Sequence, residues 1–198
     1  SDSADAFYLK AMCHKKLAQH KLRKEALETA HLIDPKHKDS ILALGEYYYQ
    51  AGRPMLSIDM LESKADVFES KEDKLERLWF LGLSYIEVSR FFNANKHAGE
   101  ALKIAPQGRF EFLRGQSLYN LNLPGHKLAR KALTKAIQDK DNPKLPHSYY
   151  ILGVIYMNDG HELVALDYFM KAKKADPNFK KGNPHIKQIL AGLNLPKK

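Results

Sequence analysis

The sequence holds one cysteine, Cys13, and no apolar run near the roughly 18 residues that a membrane-spanning helix needs. A single thiol cannot close an internal disulfide, so cysteine content leaves the redox compartment open. There is no glycine-rich phosphate loop and no Gly-x-Ser-x-Gly. Acidic residues fall at helical salt-bridge spacing, as Glu25 and Glu28 do beside Lys24, and none forms a placed acid/base pair. The polar opening Ser1-Asp2-Ser3-Ala4-Asp5 resembles no signal peptide. A start without methionine is what a processed or cut form shows, so the missing signal leaves the compartment undetermined, with the cytoplasm as the default.

Nine histidines invite a metal reading. His161-Glu162 begins as a zinc-protease helix motif does, but Ala165 stands where the second histidine must lie, four residues on, to share the helix face. No other histidine pair has zinc-finger spacing with cysteines. His161 is expected to be an exposed turn residue. The sequence thus points to no catalytic residue, no cofactor and no metal.

What is present is apolar patterning and uneven charge. Hydrophobic residues make up 44% of the 198, enough for a continuous core. Residues 1–99 carry 15 Lys+Arg against 15 Asp+Glu, and residues 100–198 carry 17 against 8, so the whole net charge of +9 lies in the second half. Lys127, Arg130, Lys131 and Lys135, with Lys171, Lys173 and Lys174, form the candidate basic patch. They are either a solvated face or a surface that attracts an acidic partner, and they are expected to act through charge alone.

A repeat organises the chain. Small residues recur at Ala11, Gly45, Gly82, Gly115 and Gly153, spaced by 34, 37, 33 and 38. A proline follows by 24 positions at Pro35, Pro106 and Pro177. A leucine precedes the glycine at Leu44, Leu81 and Leu152, and a tyrosine follows it by three at Tyr48, Tyr85 and Tyr156. An alanine lies five before the proline at Ala30, Ala101 and Ala172. The clearest copy runs from Tyr149-Tyr150-Ile151-Leu152-Gly153 through Tyr156, Gly160, Ala165, Phe169 and Ala172 to Asp176-Pro177.

These positions resemble the tetratricopeptide repeat (TPR), whose period is about 34 residues. The resemblance covers nearly the whole chain. It implies an all-α, right-handed solenoid of about five helix-turn-helix repeats, over 4–35, 38–70, 75–106, 108–143 and 146–178, with a capping helix at 184–193. Each helix is expected to span about 12–14 residues. Neither helix of such a pair can bury its apolar face alone. Gly153 and Ala165 are expected to meet where the two helices cross, Gly160 to allow the turn and Pro177 to end the second helix. Residues 68–73 are expected to form a long connection, and Asn122-Leu123-Pro124-Gly125 an enlarged turn. The first repeat departs most, with Lys10, His14 and Arg23 where the family has leucine, tyrosine and alanine. The polar Lys187, Gln188 and Lys197-Lys198 suit a cap.

In this family the first (A) helix of each repeat lines an inner groove. The corresponding positions include Asp39, Leu42, Ala43 and Glu46 in the second repeat, and Glu76, Trp79, Phe80 and Leu83 in the third. The fourth and fifth contribute Phe112, Tyr119, Tyr150 and Val154. The resemblance implies a protein or peptide partner, and an apolar groove suits a hydrophobic or amphipathic segment. The family's carboxylate clamp for heat-shock chaperone tails needs Lys, Asn and Arg where this chain has Trp79, Phe112 and Tyr150, which argues against it. Two alternatives stand beside the groove. One is an electrostatic adaptor using the basic half toward an acidic protein or membrane surface. Nucleic acid is disfavoured there, because aromatics are not interleaved with the basic residues. The other is a homo-oligomer formed through the apolar face or the first repeat.

Overall fold

A computed structural model of the protein describes residues 3–122 and 126–192. Among the described residues there are eleven α-helices and no strand. The chain divides into two units, Ser1–Ile104 and Ala105–Lys198. The first holds three helix pairs: α1 (Ala4–Lys16) with α2 (His20–Ile33), α3 (Lys38–Gln50) with α4 (Pro54–Ser63), and α5 (Lys71–Glu87) with α6 (Phe91–Ile104). The second holds α7 (Gly108–Asn120) with α8 (Lys127–Ala136) and α9 (Leu145–Asn158) with α10 (Glu162–Ala175), and α11 (Asn183–Gly192) packs on α10. Helix lengths of 10 to 17 residues spread more widely than the repeat alone suggests.

Each pair closes on a small residue. A Cβ added to Gly45 would lie 2.6 Å from Leu61, and one added to Gly115 would lie 2.6 Å from Leu133. At Gly153 the neighbour is the Phe169 ring, 2.5 Å away. The expected partner Ala165 is fully buried in the cluster that also holds Phe169. The glycine therefore makes room for the bulky residue of the second helix, and that residue fills the core.

The turns repeat as faithfully as the crossings. Seven residues after each small residue the backbone is left-handed, at Ala18 (φ 53°), Gly52 (69°), Ser89 (58°), Asn122 (51°) and Gly160 (78°). In four of the five turns the next N–H donates to the carbonyl five residues back: Gln19 to His14 (2.9 Å), Arg53 to Tyr48 (2.8 Å), Arg90 to Tyr85 (2.9 Å) and His161 to Tyr156 (2.8 Å). This is the Schellman closure of a helix end, which favours glycine at the left-handed residue. Only two of the five positions carry glycine, so the pattern is partly hidden in the sequence.

The connection expected over 68–73 lies earlier, over 64–70 between α4 and α5. Ser70 Oγ accepts the Asp73 N–H at 3.0 Å, and Glu72 and Asp73 sit in the first turn, where negative charge meets the positive end of the helix dipole. These interactions start α5 at Lys71, while a 3₁₀ turn at Ala65–Val67 and the buried Phe68 anchor the segment before it. Leu193, the Lys197-Lys198 tail and Leu123-Pro124-Gly125 lie outside the described residues.

Two substitutions test these local constraints. Gly153→Ala forces its methyl against the Phe169 ring and is expected to cost about 1–3 kcal/mol in urea unfolding. Ala18→Gly relieves a left-handed alanine and is expected to gain about 1 kcal/mol, read as a higher melting temperature.

Candidate functional site

The A helices α1, α3 and α5 adjoin in the first unit and enclose an open hollow of ≈280 Å³. Tyr8, Met12, Leu42, Ala43 and Phe80 supply apolar wall, and Lys15, Asp39, Glu46 and Glu76 supply charge. The Tyr49 ring lies 6.3 Å from Phe80 and continues the aromatic wall. Burial raises the Tyr8 hydroxyl pKa, and the nearby Asp39 and Glu46 carboxylates raise it further. The hollow is therefore apolar at its walls and mostly negative among its ionised groups.

Its electrostatics turn on Arg23, a residue that departs from the family pattern. Arg23 is 2% exposed, and its guanidinium reaches Glu46 at 2.7 Å and Gln50 at 3.1 Å while lying over the Tyr47 ring at 5.6 Å. Lys15 Nζ also donates to both Glu46 oxygens, each at 2.7 Å. A buried guanidinium is tolerable only when paired and hydrogen-bonded. Here its long stem carries the charge out of the helix crossing to a carboxylate on α3. The substitution that sets the first repeat apart thus ties that repeat to the second.

The structure redistributes the expected groove strip. Trp79 (7% exposed), Leu83 (6%) and Phe112 (2%) are buried, which corrects the expectation that they offer a free surface. Trp79 and Leu83 are four apart on α5, so they share one stripe, and that stripe is covered. Phe80, one residue on, turns about 100° away and lines the hollow. In the second unit Tyr119 is half-buried, with the His126 ring 5.0 Å away. Tyr150 and Val154 are half-buried and pack against the cluster of Ala165 and Phe169 of α10 with Ile189 of α11.

The basic residues divide in the same way. Arg130 pairs with Asp159 and lies over the Tyr156 ring at 5.0 Å. Lys135 reaches Glu111 at 3.2 Å and Lys171 reaches Asp167 at 2.6 Å. These three are therefore engaged by carboxylates of the same unit, in pairs that exposure keeps weak at Lys135 and Lys171. Lys127, Lys131, Lys173 and Lys174 are exposed. His161 is an exposed residue at the start of α10, with its ring 6.2 Å from Tyr156.

One histidine stands in an unusual setting. The His147 ring lies 4.8 Å from Phe179 and 6.2 Å from Phe112, both near edge-on. Burial lowers its pKa to about 4, helped by the positive Lys144 and Lys181. Tyr150 extends the cluster, with ring contacts of 5.9 Å to each of Phe169, Phe179 and His185. Among the described residues no group of three or more His, Cys, Asp or Glu is gathered that could hold a metal ion, and no helix is long and apolar enough to cross a membrane.

The tetratricopeptide repeat family model matches residues 4–37 and 146–179. The fold is similar to that of TTC0263, a thermophilic TPR protein in Thermus thermophilus, at 16% identity and TM-score 0.68, covering 96% of this chain and 100% of that one. It is also similar to a crystal structure of MamA at 20% identity and TM-score 0.69, covering 86% and 96%. A MamA structure spanning 41-end from Desulfovibrio magneticus RS-1 superposes with TM-score 0.73 at 12% identity, covering 91% and 99%. Identities this low establish a shared fold. No curated protein sequence matches the chain.

The His147 environment is testable by pH. The folded ring is expected to titrate near pH 4 in an NMR experiment. The sign follows from linkage: below the ordinary value of 6.5 the unfolded chain takes up the proton first, so stability falls as pH drops from there to about 4. His147→Gln should flatten that part of the stability curve, and an unchanged slope would show that His147 is not its source.

Proposed function

The chain is a tetratricopeptide-repeat protein, and from that premise we propose that it is an interaction scaffold that takes an amphipathic segment of a protein partner into the hollow between α1, α3 and α5. The observation that carries this reading is the hollow itself, with Tyr8, Met12, Leu42 and Phe80 around it and carboxylates among them. Apolar walls with charged groups at the rim match the way repeat and groove proteins hold a helix or an extended strand. Binding energy concentrates in a few large, central side chains. Phe80 takes the anchor role that the sequence suggested for Trp79. Asp39 on the wall repels an acidic tail, while Glu46 is already paired with Lys15 and Arg23, which weighs against a chaperone-tail ligand on grounds independent of the clamp pattern. The alternative through the basic half rests on Lys127, Lys131, Lys173 and Lys174, and salt separates the two: groove binding persists at high ionic strength, whereas charge-driven binding does not.

A photo-crosslinker placed at Phe80 is expected to capture the partner, while one at Phe92, exposed on α6, captures none of it. Phe80→Ala should weaken that capture by about 2 kcal/mol, roughly 30-fold, with folding checked by circular dichroism because Phe80 also packs against the core. Leu81→Ala is the packing control, expected to cost about 2–5 kcal/mol of stability, because Leu81 is fully buried. Undiminished capture by Phe80→Ala would sink the hollow as the binding site.

A further inference from the structure

Every A helix after α1 in the first unit, and α9 in the second, has one flank covered. The positions lie five before, two before and two after the small residue. On α5 they are Arg77, Phe80 and Ser84, and the preceding B helix bonds to the outer two: Arg77 Nε donates to the Leu61 carbonyl of α4 at 2.7 Å, and Ser84 Oγ to Ser57 Oγ at 3.0 Å, while Phe80 sits at the edge of the hollow. On α3, Ser40 and Ala43 are buried, and Tyr47 lies under Arg23 of α2. On α9, Ser148, Ile151 and Ile155 are buried.

On α1 the same positions hold Ala6, Leu9 and Cys13, and all three are exposed, Leu9 by 62%. Leu17, four residues after Cys13 and 66% exposed, extends the stripe. The outer positions of α11, Lys187 and Gln188, are polar and exposed, whereas this flank of α1 has the apolar character of the flanks that are covered on α3, α5 and α9. Its borders are basic. Lys10 and Lys16 flank the stripe with no ion pair among the described residues, and the neighbouring acid, Asp5, is held by His37 Nε2 at 2.9 Å.

We propose that this flank of α1 is a docking surface for an amphipathic helix of a partner protein, carrying a stripe of aliphatic or small residues bordered by Asp or Glu. The stripe takes the place that a preceding B helix takes on α3 and α5, and the acidic border answers Lys10 and Lys16. A second copy fits poorly: stacked flank to flank it brings lysines against lysines, and its α11 offers a polar face. The surface is separate from the hollow, to which α1 contributes Tyr8, Met12 and Lys15.

Cys13 is the chain's one cysteine and is exposed, so its alkylation rate reports whether the flank is covered. The probes are two synthetic helical peptides with the same Leu/Ala stripe, one bordered by Glu and one by Lys. At about ten times its Kd the Glu-bordered peptide is expected to slow Cys13 alkylation about tenfold, and the Lys-bordered peptide is not. Leu9→Asp, at an exposed position and checked for folding by circular dichroism, should abolish the protection. Lys10→Glu with Lys16→Glu should transfer it to the Lys-bordered peptide. Phe80→Ala should leave it unchanged, which separates this surface from the hollow. The proposal is overturned if the Glu-bordered peptide gives no protection, if both peptides protect equally, or if protection survives Leu9→Asp. It is also overturned if Cys13 is already protected in the free chain and becomes reactive on dilution, since a second copy would then cover the flank.

Discussion

The close approach of two helices at one small residue is the constraint on which the remaining surfaces depend. At Gly45, Gly115 and Gly153 there is no space for even a methyl group, because Leu61, Leu133 and Phe169 already occupy it. Helices held that near must turn sharply, and the left-handed residue seven positions after the small one supplies the turn in every pair. With crossing and turn both fixed, the rotation of each A helix about its axis is also fixed. One stripe then meets its own B helix, a second meets the preceding B helix, and a third faces the neighbouring A helices. The hollow between α1, α3 and α5 lies along the third stripe and reaches its edge with the second at Ala43 and Phe80, and the open flank of α1 is the second.

Charge in this protein is arranged by pairing as much as by total. The second half carries the whole excess of +9, yet Arg130, Lys135 and Lys171 are engaged by Asp159, Glu111 and Asp167 of the same unit. The first half is neutral in sum, and its most buried charge is Arg23, held by Glu46. Removing Glu46 would leave a cation at 2% exposure with one neutral partner, Gln50, which is far costlier than losing an exposed pair. Net charge read along the sequence therefore says little about which lysines are free to meet a partner.

The repeat was legible because its markers are backbone requirements. A glycine that must be small, a proline that must end a helix and a tyrosine that fills a fixed gap leave spacings that survive variation elsewhere. The candidate site was less legible, because neighbouring residues on a helix point about 100° apart and a groove is only one stripe wide. Phe80 and Trp79 are adjacent and equally aromatic, yet one lines the hollow and the other is buried. Only the depth of packing around α5 decides between them. The turn residues Ala18 and Ser89 were hidden for the opposite reason: the backbone imposes a conformation that their side chains do not advertise. Arg23 looked like a defect in the first repeat because the sequence could not show Glu46 and Gln50 waiting on α3.

The exposed flank of α1 does not weaken the first helix, because the anchors of that helix lie on its other sides. Ser3 Oγ accepts the Ala6 N–H at 3.1 Å and caps the helix start. Ala11 is fully buried in a cluster with Leu27 and Leu44, and Tyr8 meets the His37 ring at 5.8 Å. Lys15 is fixed to Glu46 near the helix end. These contacts hold α1 to α2 and α3 along its length, so Leu9 and Cys13 are carried on a helix that is already formed. A surface presented in this way needs little ordering when it is covered, which lowers the entropic cost of association. That is the physical difference between an uncovered flank on a fraying terminus and one on a helix whose remaining faces are fixed.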